Sequence, residues 1–175
     1  MNKPLITPEM IEFAKKNHEA HFKIEVEVME GGKLPSKKNS TDAGFDLYAT
    51  SDITIYPGQV MKHPLNIRMK LPQGTWAEIT SKSSLGAQGL LVYAGVIDEL
   101  YRGVPHVVMS NINLIQEIDA DGIPLMRTTP IVIKRGEKLA QLIMNPYSSS
   151  FYIEQVEKVD TNTDRGEGGF GSTGK

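Results

Sequence analysis

The sequence predicts an all-β fold, and three observations carry that expectation. From Ile24 the apolar residues recur with period two: Ile24, Val26 and Val28 alternate with Glu25 and Glu27, the pattern of a half-buried strand. Short runs rich in β-formers follow at 45–49, 53–56, 66–71, 75–80, 106–114, 130–134, 139–144 and 151–157. Turn signals separate them: Gly31-Gly32, Pro57-Gly58, Pro72-Gln73-Gly74, Asp121-Gly122 and Arg135-Gly136. Many short strands at this spacing, with no strand–helix alternation and no internal repeat, predict a sandwich, barrel or jelly roll.

Two segments depart from the strand pattern. Before the first strand, Thr7 suits a helix cap, Pro8 the first helical position and Glu9 the positive first turn. Met10, Ile11, Ala14, His18 and Phe22 then recur at spacings of three and four, so 1–22 is expected to be a helical extension. At the other end, TNTDRGEGGFGSTGK is rich in glycine with Phe170 as its one aromatic. It is expected to be a flexible tail unless a ligand orders it. The expected division is therefore an extension over 1–22, a β domain over 23–160 and a tail over 161–175.

Composition narrows the class. The chain has 175 residues, which is one domain of ordinary size, large enough to bury a core without staples. Lys and Arg number 19 against 21 Asp and Glu, a net charge of −2. That balance lacks the footprint of a general nucleic-acid binder. Cysteine is absent, which removes disulfides, thiol catalysis and cysteine zinc sites. MNKPLITPEM has no apolar signal core, and no stretch reaches the length of a membrane helix. A soluble, cytoplasmic protein is expected.

Several motif matches fail on context. Gly169 to Lys175 fits G-x-x-x-x-G-K, but a phosphate loop follows a strand and opens a helix, and here Lys175 is the last residue. His18 and His21 lie on one helix face without a third ligand. His63 and His106 stand apart in sequence, so no Ser-His-Asp set is legible.

Five stretches carry more glycine, serine and charge than strand edges need. They are Asp42-Ala-Gly-Phe-Asp-Leu-Tyr-Ala49, Ser81-Lys-Ser-Ser-Leu-Gly86, Gly95-Val-Ile-Asp-Glu-Leu-Tyr-Arg-Gly103, Arg135-Gly-Glu-Lys-Leu-Ala-Gln141 and Arg165-Gly-Glu-Gly-Gly-Phe-Gly-Ser-Thr-Gly174. In this order they resemble the five motifs of the trimeric dUTPase family, the third and fifth being the most specific. The resemblance covers the chain from about Lys23 to Lys175. It implies a jelly-roll-like (β-clip) subunit, a homotrimer with active sites shared between subunits, and Mg²⁺-assisted hydrolysis of dUTP to dUMP and pyrophosphate.

The residues make chemical sense in those roles. A triphosphate needs cations and donors on a chain of negative net charge. Lys82, Arg165 and the hydroxyls of Ser83, Ser84, Ser172 and Thr173 supply them, and the Gly171 amide can approach closely. Asp46 resembles the family carboxylate that holds metal-bound water, so its contact with Mg²⁺ is expected to run through water. Asp98 matches the aspartate that activates the attacking water, a general-base role. Gln141 matches the glutamine near the α-phosphate. The hairpin 92–103 offers alternating backbone donors and acceptors around Gly95, Val96, Ile97 and Asp98, which suit the edge of uracil. Tyr101 resembles the tyrosine that packs under the sugar and leaves no room for a 2′-hydroxyl. Phe170 would stack on the base when the tail closes, worth about 1–3 kcal/mol.

Three features depart from the family pattern. Lys82 stands where arginine is usual, keeping the charge but losing the bidentate fork. The 1–22 extension is additional. The link between the third and fourth motifs is long, with an insert near 119–130. Some bacteriophage members carry an insert there, which suggests a phage-type member acting in host cytoplasm and a regulatory protein partner for the insert. Two alternatives remain at this stage. One is dCTP deaminase or a bifunctional deaminase/dUTPase, which needs a glutamate near the position of Val108. The other is a non-enzymatic sensor of dUTP.

Overall fold

The computed structural model describes residues 23–118, 121–122, 124–147, 153–159 and 161. The helix expected within 1–22 and the tail residues 162–175 lie outside them.

Among the described residues, thirteen strands run in chain order: β1 Glu25–Val28, β2 Gly44–Tyr48, β3 Ile53–Ile55, β4 Val60–Pro64, β5 Ile67–Lys70, β6 Thr75–Thr80, β7 Leu90–Tyr93, β8 Val96–Ile97, β9 His106–Asn111, β10 Leu114–Ile118, β11 Pro124–Thr128, β12 Ile131–Ile133 and β13 Lys138–Pro146. One helical turn, α1 Ser83–Gly86, interrupts them. The strand pairs are antiparallel, and three are nested: β2 with β13, β3 with β12, β4 with β9. The chain is thus a long ribbon folded back on itself, the topology of a jelly roll. The core it encloses includes Leu47, Ile55, Ile67, Leu90, Met109, Ile133, Leu139 and Leu142, each at most 2% exposed. At about 1.5–3 kcal/mol per buried side chain, this core accounts for a fold that has no disulfide.

Four expectations are corrected. The run 106–114 is not one strand. Buried Asn111 donates through Nδ2 to the carbonyls of Ile55 (3.0 Å) and Thr129 (3.1 Å), and its Oδ1 accepts from Asn113 N–H at 2.9 Å. These bonds end β9, and the chain leaves into β10. Strand β4 is absent from the sequence reading because Lys62, His63 and Pro64 mask its alternation. The hairpin placed at 92–103 is wider. Its arms are β7 and β9, with Tyr93 opposite Val108, while β8 within its tip pairs with β6. Of the run 151–157, residues 153–157 form no strand. Ile153 and Val156 are exposed, so the run buries no apolar face.

The long link after β9 becomes a second hairpin. Strands β10 and β11 pair from Leu114 opposite Thr128 to Ile118 opposite Pro124. Gly122 turns at φ +82° between them.

Candidate active site

Of the expected site residues, Asp46, Gln141, Val96 and Ile97 are in one sheet, ordered β2-β13-β6-β8. Register decides which face they occupy. Asp46, Gln141 and Thr80 form one cross-strand row, and Ile143, Glu78 and Val96 continue the same face. The intervening residues Leu47, Leu142, Ile79, Ala77 and Ile97 point into the core. Because side chains alternate, a slip of one residue would drive Asp46 inward.

Asp46 is the electrostatic centre of this face. Its Oδ1 accepts from Lys82 Nζ at 2.5 Å and its Oδ2 lies 2.6 Å from Lys138 Nζ. Burial pushes the Asp46 carboxyl up, but the bonds and charges of Lys138 and Lys82 outweigh it and hold the carboxyl below its ordinary value. The same bond raises the Lys138 ammonium above its ordinary value. Two lysines on one carboxylate leave local positive charge on a chain that is negative overall. Lys138 is absent from the expected set. Its position three residues before Gln141 in the fourth motif was the available signal.

Gln141 Nε2 donates to the Ser81 carbonyl at 2.9 Å, which joins β13 to the second motif. Glycine at 44 leaves room for this side chain, since a Cβ there would lie 2.9 Å from Gln141 Oε1 and 3.3 Å from Gln141 Cβ. Lys82 is the N-cap of α1 through its backbone, with no side-chain cap. Ser83 and Ser84 in that turn are exposed. Ser81 Oγ accepts from Val92 N–H at 3.0 Å and so ties the turn to β7.

The third motif is laid against β6. Ala94 takes φ +49°, and Gly95 packs so tightly that a Cβ would lie 1.9 Å from the Ile79 carbonyl oxygen. Ile79 N–H donates to the Gly95 carbonyl at 2.8 Å. Val96 then faces out, Ile97 into the core, and Asp98 is exposed. Strand β8 is the end of its sheet, so half its backbone groups face away from β6. The Tyr101 ring covers Gly103, where a Cβ would meet its hydroxyl at 2.5 Å, and that hydroxyl donates to the Val104 carbonyl at 3.2 Å. Trp76, Val96, Asp98, Glu99, Leu100 and Tyr147 line a cavity of about 390 Å³.

A larger cavity, about 680 Å³, runs along β1 and β5 and includes Glu25, Glu27, Arg68 and Lys70. It contains none of the expected site residues, and its mixed charges offer no specific chemistry. Arg165, Phe170, Gly171, Ser172 and Thr173 lie outside the described residues. His63 and His106, distant in sequence, come together because β4 pairs with β9. His63 is buried and accepts the Thr50 N–H on Nε2 at 3.0 Å, which is a structural role.

Comparison with known proteins agrees with this fold. The dUTPase family model matches residues 30–119 and 123–174. The chain is 35% identical over 144 residues to the deoxyuridine 5'-triphosphate nucleotidohydrolase of monkeypox virus, covering 81% of this chain and 83% of that protein. It is 38% identical over 143 residues to the Pol polyprotein of caprine arthritis encephalitis virus, covering 82% of this chain. It is 36% identical over 149 residues to the human mitochondrial deoxyuridine 5'-triphosphate nucleotidohydrolase, covering 83% of this chain. The chain spans 11% of the length of that polyprotein and 52% of the human protein. The dUTPase of Staphylococcus bacteriophage 80alpha has the same fold, with a TM-score of 0.73 at 24% identity, over 87% of this chain and 99% of that one. A family match over most of the chain establishes that this chain belongs to the dUTPase family.

Proposed function

We propose that the chain hydrolyses dUTP to dUMP and pyrophosphate by attack of water at the α-phosphorus. One observation carries the reading: in a member of the dUTPase family, Asp46, Gln141 and Val96 share one face of the sheet β2-β13-β6-β8, and Lys82 bonds Asp46 there.

The uracil edge pairs with the outward backbone groups of Gly95 to Asp98, a rigid set because β6 holds the other edge. Tyr101, fixed over Gly103, forms the floor under the deoxyribose and excludes a 2′-hydroxyl. Lys82 and Lys138 turn toward the triphosphate, with Ser83, Ser84 and Arg165 as further donors. Asp98 accepts the proton of the attacking water, and Gln141 orients the α-phosphate. Residues 161–175 act as a lid, with Phe170 on the base and Gly171, Ser172 and Thr173 at the phosphates. The family match, which extends to residue 174, supports that assignment.

Mg²⁺ suits this donor set in an outer role. Among the described residues, no group of three His, Cys, Asp or Glu is arranged to hold a metal ion. Asp46 is a lone carboxylate, suited to accept from a metal-bound water while the triphosphate supplies the direct ligands. When bound, Mg²⁺ would neutralise phosphate charge and fix the phosphate chain. A structurally similar phage phi11 dUTPase is described with a structural Mg(II) ion.

A homotrimer with shared sites is part of the proposal. Val96, Leu100, Tyr101 and Tyr147 are exposed around the site, and Ile153 and Val156 beyond β13 are exposed as well. Neighbouring subunits would cover such surface. The β10–β11 hairpin is the proposed surface for a regulatory protein partner, the phage phi11 dUTPase having a species-specific insert. Phage-type ancestry and action in host cytoplasm belong to the same reading. Among the described residues, no helix is long and apolar enough to cross a membrane. The deaminase alternative gains no support, since Val108 is in β9 and the matched family is dUTPase. Incubation with Mg²⁺ and dUTP, dCTP, dTTP or UTP tests the proposal. Pyrophosphate from dUTP alone is expected, whereas ammonia from dCTP would overturn it.

A further inference from the structure

Glu99 has no role in the chemistry above, yet it fastens the segment that carries Asp98. Its Oε2 accepts from the Gly74 N–H at 2.8 Å and from the Tyr147 hydroxyl at 2.7 Å. Gly74 turns the chain between β5 and β6 at φ +75°. Tyr147 follows β13, and its own N–H donates to the Gly74 carbonyl at 2.9 Å. Three chain segments therefore meet at one carboxylate oxygen. From the other side, Arg102 Nη1 donates to the carbonyls of Glu99 (2.6 Å) and Tyr101 (2.9 Å). The bonds from Tyr147 and Gly74 hold the Glu99 carboxyl below its ordinary value, so it is a charged acceptor at neutral pH. Glu99, Tyr147 and Asp98 line the same cavity.

We propose that Glu99 is a positioning residue for Asp98: its carboxylate, anchored to Gly74 and Tyr147, sets where the Asp98 carboxylate stands relative to the attacking water. The inference rests on the reading of Asp98 as general base. The backbone that follows Ile97 has left the β6 ladder, and β8 ends there. Beyond that point the side chain of Glu99 supplies the hold that pairing no longer gives. A displacement of about 1 Å at a reacting group costs roughly 10²-fold in rate, so such a tether affects turnover more than binding.

The test compares Glu99→Ala, Glu99→Gln, Tyr147→Phe and the Glu99→Ala/Tyr147→Phe pair. Turnover of dUTP is measured alongside binding of a non-hydrolysable α,β-imido analogue. Trp76, the single tryptophan of the chain, lines the cavity and reports binding by its fluorescence. Glu99→Ala is expected to lower kcat about 10- to 100-fold while changing KM and analogue affinity by less than about threefold. Glu99→Gln, which keeps the acceptor oxygen, should recover most of the loss. The double variant should be no slower than Glu99→Ala, because both changes remove one shared bond. Unchanged kcat in Glu99→Ala, equal losses in kcat and affinity, additive losses in the pair, or no rescue by Gln would overturn the inference. Failure of the wild-type protein to hydrolyse dUTP would instead sink the parent reading.

Discussion

Asp98 owes its position to a single alternation: Val96 outward, Ile97 buried, Asp98 exposed beside a cavity. Replacing its carboxylate by an amide keeps that geometry and removes the proposed base. Asp98→Asn is therefore expected to bind the imido analogue as wild type does and to lose kcat by about 10²–10⁴-fold, measured by steady-state pyrophosphate release. At the same scale His63 sets an acid limit on stability. Burial lowers its pKa from the ordinary 6.5, with the nearby His106 charge adding to the effect. The neutral ring accepts the Thr50 N–H. The unfolded chain takes up the proton first as pH falls, so stability is complete above the unfolded value and declines as pH drops below about 6.5. Thermal melts should fall in that window, and His63→Gln should flatten the slope there.

At the scale of elements, the crossing of β8 onto β6 is the critical junction. Gly95 permits it because no other residue fits 1.9 Å from a carbonyl oxygen, and a backbone atom cannot yield as a side chain can. Gly95→Ala should force the two strands apart, break the Ile79–Gly95 bond and cost about 1–3 kcal/mol. Urea unfolding measures that loss, and the proposed uracil groove should be damaged with it. This glycine was legible in the sequence as part of a motif, but its contact with Ile79 was not. The same is true of Lys138. Local spacing places it near Gln141, while its meeting with Asp46 depends on β13 lying beside β2 across most of the chain. Asn111 was invisible for a related reason. A polar residue in an apolar run reads as strand, and its three bonds to Ile55, Asn113 and Thr129 exist after the ribbon has folded over.

For the whole molecule, the exposed apolar side chains around the site lead to a prediction about assembly. If each tail serves a neighbour's site, two defective subunits can complement. Mixing Asp98→Asn with a chain truncated after Asp164 should restore activity in mixed trimers, because some sites then combine an intact Asp98 with an intact tail. Sedimentation checks the assembly and a dUTP assay the rescue. A monomer, or no rescue after verified subunit exchange, would count against sharing.

The sequence alone determined what local rules can determine. Period two with turn residues predicted the all-β class, because a half-buried strand imposes that alternation wherever it occurs. The order of the motifs carried the family resemblance and put forward Asp46, Lys82, Asp98 and Gln141 as site residues. Tertiary structure decided the rest: that β4 is a strand, that 106–114 breaks at Asn111, that 153–157 form no strand, and that two lysines share Asp46. Each depends on pairing between segments far apart in the chain, where burial and hydrogen bonding outweigh local propensity.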